Sequence, residues 1–72
     1  MNTTVLLVSP VDRKQQAKLT NEHSSSSYGL PVLVVNGEAL GPGELLPGSY
    51  ISTSNILAAE GARAAGYTVK ND

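Results

Sequence analysis

The sequence predicts a small α+β domain in which strands and helices follow one another as β-α-β-β-α-β. Three observations carry that expectation. Two short continuous apolar runs, Val5-Leu6-Leu7-Val8 and Val32-Leu33-Val34-Val35, have the length and the β-branched content of buried strands. Asn36-Gly37 follows the second run directly, and this pair is preferred where both central residues of a tight hairpin turn need positive φ. Two further stretches, rich in helix formers, each begin at a residue able to cap a helix.

The elements read in order as follows. Residues 5–8 form the first strand, stopped by Ser9-Pro10. Ser9 is a candidate N-cap, Pro10 suits the first helical position, and Asp12 lies where the helix dipole favours an acid, so a helix is expected from Pro10 through about residue 22. Its sizeable apolar residues are only Val11 and Leu19, which makes it a largely exposed helix. Residues 20–28 include four consecutive serines and read equally as the end of this helix or as a linker. Gly29 and Pro31 end any helix before the second strand, residues 30–35. The Asn36-Gly37 turn returns the chain through Glu38-Ala39-Leu40. Gly41-Pro42-Gly43 and Pro47-Gly48 then break regular pairing, so residues 41–52 are expected to be a loop. Ser52, Thr53, Ser54 and Asn55 offer N-caps to a second helix that closes at Gly66, and Tyr67-Thr68-Val69 alternates as a short last strand.

This order matches the ferredoxin-like, split βαβ arrangement, with a three-stranded sheet and two helices as the alternative. In either arrangement the two apolar runs lack the polar alternation of a half-wet sheet, so one sheet face is expected to need cover. A homo-oligomer packed through the sheet would supply it, as would the loop 41–52 folded over that face.

Composition narrows the function. The chain has 72 residues and is read as one domain, 1–72; 40% of its residues are hydrophobic and 15% charged, too apolar for a disordered tail. It contains no Cys, which excludes thiol chemistry and disulfide staples and fits a cytoplasmic protein. Neither a signal segment nor a membrane span is recognisable, and no membrane partner is expected. A net charge of −1 makes nucleic acid an unlikely partner for the domain as a whole, although Arg13, Lys14 and Lys18 cluster locally. The single His23 has no relay partner in a recognisable motif and the carboxylates have no ligand spacing, so neither an enzyme nor a metal protein is expected, and no cofactor.

The residues from Gly29 to Glu38 resemble the proline-preceded strand and hairpin of thioredoxin-fold proteins. The Cys-x-x-Cys of that family is absent, and no activity or residue is carried over from it. What remains is a small binding protein, an inhibitor or regulator of a larger protein, acting through an apolar sheet face and the segment 41–55. The candidate binding residues are Leu45, Ser49, Tyr50, Ser52, Thr53, Ser54, Asn55 and Arg63. An alternative use of the same segment is an oligomeric binder of an anionic small molecule or nucleotide at the helix start near Thr53, where free N–H groups attract anions and hydroxyls add donors.

Overall fold

The protein is described from a computed structural model that covers residues 3–21 and 30–71. Six strands form one sheet: β1 (Thr3–Ser9), β2 (Arg13–Thr20), β3 (Val32–Val35), β4 (Glu38–Leu40), β5 (Tyr50–Thr53) and β6 (Val69–Asn71). One helix, α1 (Ile56–Ala64), lies between β5 and β6. The strand order across the sheet is β4-β3-β2-β1-β5-β6, antiparallel everywhere except at the β5–β6 pair. Parallel neighbours need a crossover connection, and α1 supplies it.

This corrects the expected β-α-β-β-α-β order, both as a ferredoxin-like sandwich and as a three-stranded sheet with two helices. The stretch expected as the first helix is β2, the strand paired on both sides, to β1 and to β3. The local chemistry at its start is nevertheless the chemistry expected there. Ser9 Oγ accepts from the N–H of Val11 at 3.2 Å and of Asp12 at 3.3 Å, the bonds a helix N-cap makes, but here they close a tight turn. Arg13 then adopts φ +59°, which leaves the right-handed helical region and reverses the chain into β2. Beyond it Gln15, Ala17 and Leu19 face one side of the sheet and Lys14, Gln16 and Lys18 the other. Pairing with β1 along Arg13–Leu19, joined by β3 at Lys18–Thr20, overrides a helix propensity worth only tenths of a kcal/mol per residue. The second correction is β5, which occupies the end of the expected loop 41–52. The remainder of that loop holds a 3-10 turn, Pro42–Glu44, with the Glu44 carboxylate accepting from the Gly41 N–H at 2.7 Å.

The last strand, expected over Tyr67-Thr68-Val69, is β6 and starts only at Val69, whereas the hairpin turn and the caps of α1 lie where the sequence places them. Asn36 and Gly37 have φ +52° and +81°, the left-handed pair of a two-residue hairpin, and join Val35 to its partner Glu38. The returning strand β4 is an edge strand, a position that tolerates the glycine and proline that follow it. Asn55 caps α1 by accepting from the Ala58 N–H at 3.0 Å, and Gly66 follows the helix at φ +100°. Of residues 20–28, expected as helix end or linker, Thr20 ends β2, and residues 22–28, including His23 and the serine run, lie outside the described residues.

Alternation decides the core. Val5 and Leu7 of β1, Ala17 and Leu19 of β2, Leu33 and Val35 of β3 and Ile51 of β5 are buried on one side, where Ala58 and Ala62 of α1 cover them. Small residues on the buried stripe of α1 let the helix lie close to the sheet. Tyr67, which follows the helix, ties its end of the chain to the far hairpin. Its hydroxyl donates to the Leu40 carbonyl at 2.6 Å and accepts from the Leu33 N–H at 3.0 Å. Leu33 and Leu40 are directly opposite partners in the β3–β4 pair, so the phenol bridges the hairpin where a direct backbone bond would otherwise sit. Burial pushes this phenol above its ordinary value; the hydrogen bond from Leu33 opposes the rise and the Glu44 carboxylate adds to it.

Candidate functional site

Every strand residue that alternates with a core residue projects from the opposite side of the sheet, and α1 does not reach that side. The register arranges these residues in rows. One row runs Val34, Lys18, Thr4 across β3, β2 and β1, with Ala39 of β4 beyond Val34. The next runs Gln16, Leu6, Ser52, Lys70 across β2, β1, β5 and β6. A third runs Lys14, Val8, Tyr50. Leu6, Val8, Val34 and Tyr50 are half-buried by their neighbours within the sheet, and Lys14, Lys18 and Lys70 are exposed.

The charge on this open face has one sign. Among the described carboxylates, Asp12, Glu38 and Glu44 border a hollow on the helix side and Glu60 lies on α1. Three of the chain's five cationic side chains thus occupy a face with no described acid, in a protein whose net charge is −1. Lys14 and Lys18 are four residues apart on one strand, roughly 13 Å at strand rise, and Lys70 lies three strands from β2, about 14 Å away. The triangle they form holds Leu6 and Ser52, with Val8 on the row of Lys14 and Val34 beyond Lys18. At physiological salt the Debye length is about 8 Å, so lysines at these spacings repel one another weakly and each can take an anionic partner of its own. Lys70 also lies over the Tyr50 ring, with Nζ 4.3 Å from the centroid, which holds both side chains down on the face. A shallow hollow of about 370 Å³, lined by Thr4, Gln16, Lys18 and Val34 among others, and an adjoining one of about 300 Å³ that includes Leu6, Ser52 and Ser54, give the face relief.

The eight residues singled out from the sequence are divided among different places. Tyr50 and Ser52 belong to the open face, and Ser54 borders it. Leu45 packs against the core from the helix side and Ser49 lies beside it, so the segment after β4 covers the face that α1 covers and leaves the other one open. Thr53 is buried, and its Oγ1 accepts from the Asn55 N–H at 3.1 Å. Asn55 serves as the cap of α1, and Arg63 stands in the last turn, at the other end of the helix from Thr53. The two side chains nearest the helix start are therefore engaged in holding its backbone.

Leu6, Val8, Gln16, Val34 and the three lysines are absent from that selection. Their signal was the alternation Lys14, Gln16, Lys18 against Gln15, Ala17, Leu19, which assigns every second residue to one face once the segment is taken as a strand. Among the described residues no group of three or more His, Asp or Glu is placed to hold a metal, and no helix is long and apolar enough to cross a membrane. Compared with known proteins, the chain matches no family model, and no curated protein or solved structure shows significant similarity to it.

Proposed function

We propose that this is a non-enzymatic binding protein that inhibits or regulates a larger protein by seating it on the open face of the sheet. The observation that carries the reading is the uncovered row structure itself: Leu6, Val8 and Tyr50 form an apolar centre, with Val34 beyond Lys18, on a side of the sheet that no element of the described chain packs against. Apolar and aromatic side chains surrounded by polar ones are the anatomy of a protein interface. Tyr50 is the natural anchor, since tyrosine is enriched among the residues that dominate binding energy. The charge on the face weighs against a symmetric dimer through it, because a face-to-face pairing sets three lysines against three lysines.

The test compares affinity capture by the wild type with capture by Val34→Asp on the open face and by Glu60→Ala on the exposed side of α1, each checked for folding by circular dichroism. A protein retained by the wild type and by Glu60→Ala, and lost with a folded Val34→Asp, supports the reading. Equal retention by all three sinks it.

A further inference from the structure

The lysine triangle says more about the partner than the apolar centre does. Resting on the reading of the open face as the contact surface, we infer that its partner is an acidic protein surface, one that presents carboxylates around an apolar centre so that Lys14, Lys18 and Lys70 each meet an opposite charge. Three arguments lead there. The first is charge complementarity: the face carries three cations and no described carboxylate, while the remainder of the chain must be net negative to give −1 overall. An approaching acidic surface is attracted to this face and repelled by the other, which sets its orientation before contact.

The second argument is size. The backbone spans 29 × 23 × 18 Å, so a contact on the open face is at most of ordinary interface size, roughly 800 Å² from each partner. A contact of that size gains much of its specificity and association rate from charge, and Lys14 and Lys70 stand toward the margins of the face, where charge acts on encounter, with Lys18 between Val34 and Thr4.

The third separates a protein from a nucleic acid. A single strand of nucleic acid is held by a continuous positive groove with several aromatic platforms for stacked bases. Here the cations stand apart around an apolar centre, and the one aromatic on the face among the described residues, Tyr50, has Lys70 over its ring. An acidic protein surface with three separated carboxylates and aliphatic side chains between them fits better.

The experiment is a titration of the ¹⁵N-labelled full chain, followed by amide shifts, with four probes: a peptide of alternating Leu and Glu, its Leu–Lys and Leu–Ser counterparts, and a thymidine oligonucleotide. The acidic peptide is expected to move the amides of β1, β2 and β5 and to bind about tenfold tighter than the Leu–Ser peptide, from three exposed pairs of modest strength each. Raising salt should narrow that gap. A triple variant, Lys14→Glu with Lys18→Glu and Lys70→Glu, should reverse the preference and favour the Leu–Lys peptide, an outcome that a merely unfolded variant cannot give.

Equal binding of the acidic and Leu–Ser peptides at the face would overturn the inference and leave the face as the contact surface. Tighter binding of the oligonucleotide would overturn it in favour of nucleic acid, and concentration-dependent shifts of the same amides without any probe would overturn it in favour of a second copy. Peptide shifts confined to α1 would overturn both this inference and the reading it rests on.

Discussion

The two faces of the sheet are made by the same strands, residue by residue in alternation, yet they differ in every physical respect. On one side Leu33 and Ile51 are fully buried beneath the alanines of α1. On the other, Leu6 and Val34, of similar size, are half-buried with no described element above them. One side is closed by small residues and a phenol that bridges the far hairpin; the other carries lysines around aliphatic side chains. A single helix can close only one face of a six-stranded sheet, so the apolar residues on the second face contribute little to folding, and their presence there has to be explained by something outside the described chain.

The largest expected effect tests that asymmetry directly. Leu33→Ala or Ile51→Ala should destabilise by about 2–5 kcal/mol, from lost transfer energy and the cavity left behind, as read from urea midpoints. Leu6→Ala or Val34→Ala on the open face should cost less than about 1 kcal/mol, because water already reaches those side chains. If the open-face truncations cost as much as the buried ones, that face is covered in solution and the comparison breaks.

Tyr67 comes next. Tyr67→Phe removes the bridge and leaves the Leu33 N–H and the Leu40 carbonyl without that partner, at a cost of about 1–3 kcal/mol. The pH dependence follows from the raised phenol. The folded state holds the proton more tightly than the unfolded state, whose value is near the ordinary 10.0. The stabilisation is therefore complete below pH 10 and is lost as pH rises through the higher folded value. The difference between the wild type and Tyr67→Phe, measured by chemical denaturation, should be constant through neutral pH and shrink in strong alkali. A difference that stays constant there would mean that the hydroxyl is not bridging as a donor.

Asn55→Ala tests how α1 is held over the closed face. Loss of the bond to the Ala58 N–H should cost about 1 kcal/mol and lower thermal stability accordingly, while leaving the open face and any binding there unaltered. A selective loss of binding with unchanged stability would instead assign Asn55 to the contact surface.

These elements also show what was legible in the sequence. The cap at Asn55, the left-handed Gly66 and the Asn36-Gly37 turn were readable because each depends on the backbone within a few residues, and residue type alone reports it. The segment 9–20 was misread for an equally physical reason. Ser9-Pro10-Val11-Asp12 makes the same side-chain bonds in a tight turn as at a helix start, and Arg-Lys-Gln-Gln-Ala-Lys favours a helix until β1 pairs along it and β3 joins at Lys18. The strand β5 was hidden because Tyr50-Ile51-Ser52-Thr53 is short and rich in hydroxyls that also suit caps. The open face was missed with β2: its lysines were visible, but as a helix they shared no surface with Leu6, Val8 or Tyr50.

The smallest effect addresses that misreading at its pivot. Arg13 holds φ +59°, a conformation that strains an L-residue with a long side chain and suits glycine. Arg13→Gly relieves the strain in the turn but also adds freedom to the unfolded chain, so the net gain should be only about 0.5 kcal/mol, seen as a small rise in the urea midpoint. Arg13→Pro should do the opposite, since the proline ring fixes φ near −65° and prohibits the reversal that starts β2. In a helix beginning at Pro10 the sign at glycine would be reversed: Arg13 would be the fourth residue past the cap, where glycine costs about 1 kcal/mol, while proline would remove the first intrahelical N–H and destabilise there too. The sign of the glycine substitution therefore reports whether residues 13–20 are the strand that brings Lys14 and Lys18 onto the open face, or the helix that their composition suggests.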